Sequence, residues 1–557
     1  MRRAAFAVAS LLALVLAAPA ARQAPPVYDL LIRNGRVLDG TGNPWFPADV
    51  AIRDGRIVAV GRLGSAAATR VIDATGKYVA PGFIDIHSHA DDGARPEGGF
   101  RDVDPKRRAA PNLVSQGITT VVVNQDGRSP WPVSTQRALL ETNGIGANAM
   151  LLVGHGTVRR EVMGDDNKRP ATPAEVERMR TLVRQALGEG AVGMSAGLEY
   201  EPGRWSTTAE LVELAKELPP VDGVYISHER SEGSDPLWYV PSQDGPGPPS
   251  LLDAVAETIE IGEQAGARVV ASHLKAKGAG YWGSSVAAVG LIQRARDRGV
   301  DVWADQYPYP TSGTDGSTVL IPAWATRGPQ GADRAAILKR MLGEPAQAAQ
   351  IRGDIRHEIA RRGGAPNIVV YDYSDKAMYG KTLADFAAAW KVDPVEAAIR
   401  IQVEGLPDRR GGARMRGFSM SEDDLEFIAK QPWVATSTDG GIALPEDGPA
   451  THARFYGTFP RKIRHYALDR GAISLEAAIR SSTSLPAQIM RLTDRGQIRE
   501  GMAADIVVFD LSTIRDTATF FEPHQYAEGI DYVFVNGVAV VDQATLTWAL
   551  PGKVLAR

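Results

Sequence analysis

Strand-like runs separated by helical patterns fill the middle of this 557-residue chain and constrain its fold more than any other feature. Short apolar runs that alternate with amphipathic segments are typical of parallel β/α units. Eight such runs can be distinguished, over residues 83–89, 119–126, 149–155, 192–200, 224–229, 268–275, 301–309 and 433–439. Eight units predict an α/β protein with a closed (β/α)8 TIM-type barrel, in which functional side chains lie at the C-terminal strand ends.

Segments outside the eight runs predict two further parts. Residues 28–79 and 495–557 are β-rich and contain Asn-Gly and Asp-Gly pairs, which are hairpin signals. We expect both ends of the chain to form one small β-rich domain, with the barrel over residues 80–494. Residues 310–431 are far longer than an ordinary connection, so they predict a subdomain inserted between barrel strands 7 and 8.

The first 20 residues have the pattern of a signal peptide. Two arginines precede an apolar stretch over residues 4–17, and Ala-Pro-Ala follows as a small-residue cleavage site. The apolar stretch is too short to span a bilayer, so we expect an exported protein, periplasmic or extracellular, without a stable membrane anchor.

Composition excludes some metal ligands and some classes of binding partner. The chain contains no Cys, which excludes disulfides and thiolate metal ligands. A net charge of −4 without a basic stripe argues against nucleic acid, so the expected partner is a small molecule. The sequence leaves the oligomeric state open.

Polar residues gather at the ends of the predicted strands. His87 and His89 are two residues apart in an extended run, which turns both imidazoles to one side and forms half of a divalent-metal site. The other strand ends supply Asp126, His155, Glu199, His228, His273, Lys275, Tyr307, Tyr309 and Asp439. A rim so crowded with polar groups needs compensation, which a metal ion provides.

Several motifs resemble those of the amidohydrolase superfamily: residues 81–89 (PGFIDIHSH), 437–440 (STDG) and 500–509 (EGMAADIVVF). Others resemble the D-aminoacylase (N-acyl-D-amino-acid deacylase) family within it. They are residues 154–159 (GHGTVR), 197–203 (GLEYEPG), 227–233 (SHERSEG), 272–275 (SHLK), 307–309 (YPY) and 452–460 (HARFYGTFP).

The resemblance implies a ligand set of His87 and His89 for one ion and His228 and His273 for another. It also implies that Asp439 is the acid/base residue and a candidate ligand.

That family usually carries a bridging Cys within Gly-Asn-Cys-Gly at its second strand, and the matching residues 123–127 (VNQDG) put Asp126 there. Asp126 either replaces the thiolate as a ligand or is a turn residue beside Gly127, with one ion bound tightly. We expect one or two divalent ions, zinc first, with manganese, cobalt or iron compatible with N and O ligands.

These residues predict hydrolysis, because a bound divalent ion lowers the pKa of its water from 15.7 to about 7. Asp439 would take the proton and deliver it to the leaving nitrogen, although Ser-Thr-Asp-Gly is also compatible with a helix N-cap. His155 would stabilise the oxyanion or support a ligand.

An N-acyl amino acid carries a carboxylate, which needs a cation. Strand alternation turns Lys275 toward the same cavity as His273, and Arg454 follows the eighth strand near the barrel mouth. In the resembling family these positions, with a Tyr of the seventh strand, hold that carboxylate, and either Tyr307 or Tyr309 could serve. The simpler alternatives are a strand-end salt bridge for Lys275 and a solvated helix face for Arg454.

The resemblance therefore implies a metal-dependent hydrolase of linear amides that deacylates N-acyl-D-amino acids, with the D configuration implied by resemblance alone. One alternative is a cyclic amide hydrolase of the dihydropyrimidinase or dihydroorotase type. Another is an exported binding protein that keeps the barrel without catalysis.

Overall fold

A computed structural model describes residues 28–91 and 98–556. The predicted signal peptide, residues 1–20, lies outside this part of the chain. Among the described residues, no helix is both long and apolar enough to cross a membrane.

Both ends of the chain contribute strands to one nine-stranded sheet. Its strands are Tyr28–Val37, Phe46–Arg53, Arg56–Gly61, Ala68–Asp73, Tyr78–Pro81, Ile506–Phe509, Ile530–Val535, Val538–Asp542 and Thr545–Leu546. The two ends meet where Ile506–Phe509 pairs antiparallel with Tyr78–Pro81. Alternate residues such as Leu30, Ile32, Ile506 and Val508 share a buried core on one face of the sheet. On the opposite face Val507 and Phe509 are buried in the core of the parallel strands.

The Asn-Gly and Asp-Gly pairs of this sheet do not all form hairpin turns. Asp54-Gly55 connects two paired strands, and both residues have the positive φ that a tight hairpin turn requires. Asn34-Gly35 instead lies inside the strand Tyr28–Val37, at a shift in its register with the next strand. That pair is therefore an irregularity within a strand, which corrects the prediction of a turn.

The middle of the chain contains parallel strands in two sheets. One sheet has the order Val153–Gly154, Gly193–Gly197, Val224–His228, Arg268–Ala271, Val302–Gln306 and Val434–Thr436. The other has the order Val554–Leu555, Asn148–Leu151, Ile118–Val123 and Phe83–Asp85. A short parallel pairing of Gly440–Gly441 with Ser88–His89 connects the last of the eight predicted runs to the first.

These strands end earlier than the sequence runs predicted. The seventh strand ends at Gln306, so Tyr307 and Tyr309 lie in the loop that follows. The third run is divided into two short strands, and His155 is the first residue of the helix His155–Met163 rather than a strand end. Because these strands are shorter than predicted, their polar side chains lie on non-strand backbone just beyond the strand ends.

Helices connect the parallel strands and follow the last of them. They are Pro105–Arg108, Pro111–Val114, Val133–Asn143, His155–Met163, Pro173–Gly188, Thr208–Ala215, Leu251–Ala265, Ser285–Asp297, Arg454–Arg461, Leu475–Ser482 and Ser484–Met490, with a π-helix over Lys462–Asp469.

Residues 310–431 form mostly helices with a core of their own. The helices are Arg334–Leu342, Pro345–Arg361, Leu383–Trp390, Pro394–Glu404 and Glu422–Ala429, beside the antiparallel strands Ile368–Asp372 and Arg414–Gly417. Ile351, Ile355, Phe386, Ile401 and Met415 pack together in this core. The segment reaches back toward the strand ends, because Arg361 donates hydrogen bonds to the carbonyl oxygens of Leu237 and Tyr239.

Candidate metal centre and active site

Six predicted ligands converge at the C-terminal ends of the parallel strands. His228 and His89 are the last residues of the strands Val224–His228 and Ser88–His89, and the others follow a strand by two or three residues: His87, Asp126, His273 and Asp439. Their donor atoms fall into three overlapping groups, each within a span that one ion could bridge: His87, His89 and Asp126; Asp126, His228 and His273; His87, His273 and Asp439.

Asp126 lies between the histidines of the first and fifth strands. Its Oδ1 is 3.5 Å from His87 Nε2 and 3.5 Å from His228 Nδ1, and its Oδ2 is 3.6 Å from His89 Nε2. Asp126 and Gly127 both have positive φ, so the predicted turn exists. The turn directs the carboxylate toward the histidines, and the two interpretations of Asp126 are therefore compatible.

The donor set fits a divalent ion. Asp126 Oδ1 and His87 Nε2 are buried and have no hydrogen-bond partner among the described residues. Ligands at about 2.1 Å around a tetrahedral ion lie roughly 3.4 Å apart. The distances from Asp126 to His87, His89 and His228 are close to that value. Imidazole nitrogens with carboxylate oxygens suit zinc and its neighbours in the first transition series.

A buried network fixes the ring of His87. Its Nδ1 lies 2.5 Å from Ser272 Oγ, which donates to Asp305 Oδ2 over 2.6 Å. Because the hydroxyl proton is directed to Asp305, His87 Nδ1 must donate, and Nε2 presents its lone pair to the donor group. Asp305 also accepts from the backbone N–H of His273 and the hydroxyl of Ser437.

Asp439 combines contacts to the histidines and to a cation. Its Oδ1 is 3.2 Å from His89 Nε2 and 3.7 Å from His87 Nε2, and its Oδ2 is 3.0 Å from Arg454 Nη1. Burial raises the pKa of Asp439, but Arg454 and His89 outweigh burial, and the net pKa lies below the ordinary value. Asp439 is therefore a carboxylate at neutral pH, as a proton acceptor must be.

The histidines differ in protonation. Burial lowers the pKa of His87 and of His273, and Lys275 lowers that of His273 further, so both rings are neutral and able to bind a metal. Burial also opposes the charged form of His228, but Asp126 and Glu232 outweigh it and raise its pKa to about 10. A metal ion bound at His228 Nδ1 must therefore displace a proton.

Three of the six predicted ligands have left-handed backbone. The φ angles of Asp126, His273 and Asp439 are +56°, +36° and +47°. Such conformations are unfavourable for residues with a Cβ and are concentrated at functional sites.

The predicted carboxylate-binding residues are only partly together. Arg454 lies with its guanidinium carbon 4.6 Å from the ring centre of Tyr307, and Lys275 Nζ lies 5.4 Å from the same ring. Lys275 Nζ also lies 2.8 Å from His273 Nδ1 and pairs with Glu232. Within the described part of the chain, Tyr307 Oη and Arg454 Nε make no hydrogen bond, so these two atoms are available to a ligand, whereas Arg454 Nη1 pairs with Asp439 Oδ2.

Tyr309 lies outside this cluster. Its hydroxyl is 3.5 Å from Asp516 Oδ2, and Arg461 lies over its ring. The sequence left the choice between the two tyrosines open, and these contacts favour Tyr307. Alternation could not separate them, because residues two apart point to the same side of a strand. The strand ends at Gln306, and the loop that follows gives the two tyrosines different contacts.

His155 lies apart from the three donor groups, and its predicted role stays a prediction. Its Nε2 lies 2.8 Å from Glu210 Oε1, and Arg159 pairs with the same carboxylate. All three side chains are buried, and none of the three donor groups around Asp126 and Asp439 includes His155. These contacts give no support to a role at the oxyanion, because the helix that begins at His155 turns the ring toward Glu210.

Two carboxylates beside the centre were missing from the predicted site. Glu199 Oε2 is 3.3 Å from His228 Nε2, and Glu232 Oε1 is 3.3 Å from His273 Nδ1. Glu199 stands at a strand end and Glu232 follows His228 by four residues, so the sequence already indicated that both carboxylates lie near the strand ends. Their contacts with His228 and His273 depend on long-range packing, which these sequence positions alone do not specify.

A cavity of about 510 Å³ opens beside His89, Asp439 and Arg454. Its remaining wall includes Ile442, Ala443 and Phe455. A small organic molecule therefore has space next to the donor groups and next to a guanidinium.

Comparison with known proteins identifies the class. The amidohydrolase family matches residues 70–219 and 358–541. N-acyl-D-glutamate deacylase of Alcaligenes xylosoxydans xylosoxydans is 34% identical over 95% of this chain and 96% of its own length. D-aminoacylase of the same organism is 32% identical over 95% of this chain and 98% of its own length. The chain belongs to the amidohydrolase family, which confirms the resemblance of its motifs.

Among solved structures, N-acyl-D-glutamate deacylase of Bordetella bronchiseptica is similar to this protein. It is 33% identical, covers 95% of this chain and 100% of its own, and superposes with a TM-score of 0.72. That crystal structure contains zinc and a phosphonate inhibitor that mimics the tetrahedral intermediate of the reaction.

Proposed function

We propose that this protein is a metal-dependent hydrolase that deacylates N-acyl-D-amino acids to a D-amino acid and a carboxylic acid. The observation that carries the proposal is the position of Asp126, whose unpartnered Oδ1 lies 3.5 Å from both His87 and His228. The names of its relatives supply the substrate class and the D configuration.

We assign His87, His89, Asp126, His228, His273 and Asp439 as the residues that would hold one or two divalent ions, with zinc as the proposed metal. Such an ion supplies Lewis acidity and lowers the pKa of a coordinated water to about 7. Asp439 Oδ1 would accept the proton of the attacking water and transfer it to the leaving nitrogen. Its lowered pKa keeps it ionised for the first of these transfers.

Substrate orientation is assigned to Arg454 with Tyr307 and Lys275. Arg454 Nε and the hydroxyl of Tyr307, which have no partner among the described residues, would bind the α-carboxylate of the substrate. Lys275 would add positive charge from beside Glu232. Holding the carboxylate in this cluster would place the amide beside the donor groups.

The proposal includes the architecture. The two parallel sheets and the pairing of Gly440–Gly441 with Ser88–His89 would close into an eight-stranded barrel. Residues 80–494 would form that barrel, with the insertion at residues 310–431, and residues 28–79 with 495–557 would form the small domain. From the latter, Val554–Leu555 reaches back to pair with Asn148–Leu151. We further propose export to the periplasm or exterior after removal of residues 1–20.

Turnover of a substrate panel by zinc-loaded protein tests the activity. The panel contains N-acetyl-D-amino acids, their L enantiomers, hydantoins and dihydroorotate, with chelated protein as the control. Metal-dependent release of the free D-amino acid is expected. Turnover of the rings alone would favour the cyclic amide hydrolase, and metal binding without any turnover would favour the binding protein.

A further inference from the structure

The cavity beside the metal centre has one apolar wall and two cations. Ile442, Ala443 and Phe455 form the apolar wall, and the cations that line it among the described residues are Arg454 and Arg107. If Arg454 holds the α-carboxylate, as proposed above, the side chain of the amino acid branches from the same Cα atom that carries that carboxylate. The cavity that Arg454 borders is then the space for this side chain.

Arg107 is already neutralised. Its Nη1 and Nη2 donate to the two carboxylate oxygens of Asp447 over 2.7 and 2.9 Å, a bidentate pair. Asp102 lies 3.5 Å from Arg107 Nε, and Glu446 lies 3.8 Å from Nη2. Asp447 itself accepts from the backbone N–H of Leu444, which holds its carboxylate in place.

The charges around the cavity therefore oppose a second carboxylate. Asp439 and Asp447 both line the cavity, and Arg454 would be occupied by the α-carboxylate. A glutamate or aspartate side chain of the substrate would be repelled by Asp447. The guanidinium of Arg107 could not compensate, because its two terminal nitrogens are already paired with Asp447. An aliphatic side chain would instead contact Ile442, Ala443 and Phe455, and the burial of its apolar surface would favour binding.

We propose that this cavity selects an uncharged apolar side chain on the substrate, and that Asp447 determines the selection by occupying Arg107. This inference rests on the proposed function and specifies its substrate class. It separates the protein from its relative that is named for N-acyl-D-glutamate, despite their 34% identity.

The first test compares kcat/KM for N-acetyl-D-leucine and N-acetyl-D-glutamate, with the acyl group kept constant. We expect the leucine substrate to be preferred by roughly 100-fold, because repulsion by a like charge acts against the glutamate substrate. Equal values or a preference for glutamate would overturn the inference while leaving the proposed function intact. Failure to hydrolyse either substrate would contradict the proposed function, and the inference would fall with it.

The second test frees Arg107. Asp447→Ala should lower the leucine-to-glutamate ratio by about tenfold, because the guanidinium can then pair with the substrate. The double variant Asp447→Ala with Arg107→Gln should lose that gain, and Asp408→Asn, at an exposed carboxylate outside the contacts of Arg107, should leave the ratio unchanged. Asp447→Asn, which keeps the shape, replaces Asp447→Ala if the latter does not fold. An unchanged ratio in a folded Asp447 variant would overturn the role of this residue.

Discussion

Glu199 holds the ring of His228 from the side opposite Asp126. Glu199 Oε2 is 3.3 Å from His228 Nε2, and Glu199 Oε1 accepts the backbone N–H of Leu237 over 2.7 Å. A carboxylate that orients the outer nitrogen of a ligating histidine fixes the ring and raises its basicity. The inserted segment supports this arrangement, because Arg361 donates to the carbonyl oxygen of Leu237.

Glu199→Gln should therefore weaken metal binding by about 10- to 100-fold. Competition with a chelating dye measures the affinity. Glu201→Gln, two residues away and exposed, is the matched control and should bind like the wild type. Wild-type affinity in Glu199→Gln would show that the contact does not support the metal centre.

Arg454→Met should reduce kcat/KM for an N-acyl amino acid roughly 10- to 100-fold, the effect of losing a hydrogen bond to a charged group. Loss of the pair with Asp439 contributes to the fall, so a second substrate is needed. The carboxamide analogue of the same amino acid lacks the α-carboxylate, and the variant should lose its preference for carboxylate over carboxamide. A preference that survives the substitution would place the carboxylate elsewhere.

The two tyrosines should respond differently to removal of the hydroxyl. Tyr307→Phe should raise KM about tenfold, because its hydroxyl has no partner among the described residues and faces the cluster of Arg454 and Lys275. Tyr309→Phe should leave KM unchanged and affect only the thermal midpoint, since its ring contacts Arg461. The opposite pattern would assign the substrate contact to Tyr309.

The burial of Lys462 should make the free energy of unfolding depend on pH. This lysine is 1% exposed, and burial lowers its pKa from 10.5 to about 8. The unfolded chain binds more protons between pH 8 and 10.5, so stability should rise with pH across that window. Below pH 8 the charged form costs about 3 kcal/mol, which a neutral side chain of similar length would avoid.

Lys462→Met should therefore be more stable than the wild type at pH 7, and the difference should shrink toward pH 10.5. Denaturant unfolding of both proteins at pH 7 and at pH 10 measures it. A difference that does not change with pH would mean that Lys462 is not buried as a strained cation.

The sequence predicted the converging metal ligands because each of them stands at or just after the end of an apolar run, which is a local feature. His87 and His89 follow an apolar run, and His228 and His273 stand at or just beyond their strand ends. Positions at the C-terminal ends of parallel strands are brought to one side by any arrangement of β/α units. The identity of the site therefore needed little knowledge of tertiary packing.

The errors come from where strands end and from which distant residue a side chain contacts. The third strand ends at Gly154, so His155 begins a helix and pairs with Glu210, 55 residues away. Alternation puts Tyr307 and Tyr309 on the same face of a strand and left the choice open, whereas the loop after Gln306 gives them different contacts. Glu199 and Glu232 were missed as partners of the histidines for the same reason, since long-range packing sets those contacts.

The most direct test of the account is the metal content of purified protein, measured for the wild type and for Asp126→Ala. If Asp126 links the two groups of histidines, the wild type should hold about two divalent ions per chain and the variant one or none. Asp165→Ala, at an exposed carboxylate, controls for the substitution itself and should match the wild type. Metal content that is unchanged in Asp126→Ala would contradict the account and leave Asp126 as a turn residue.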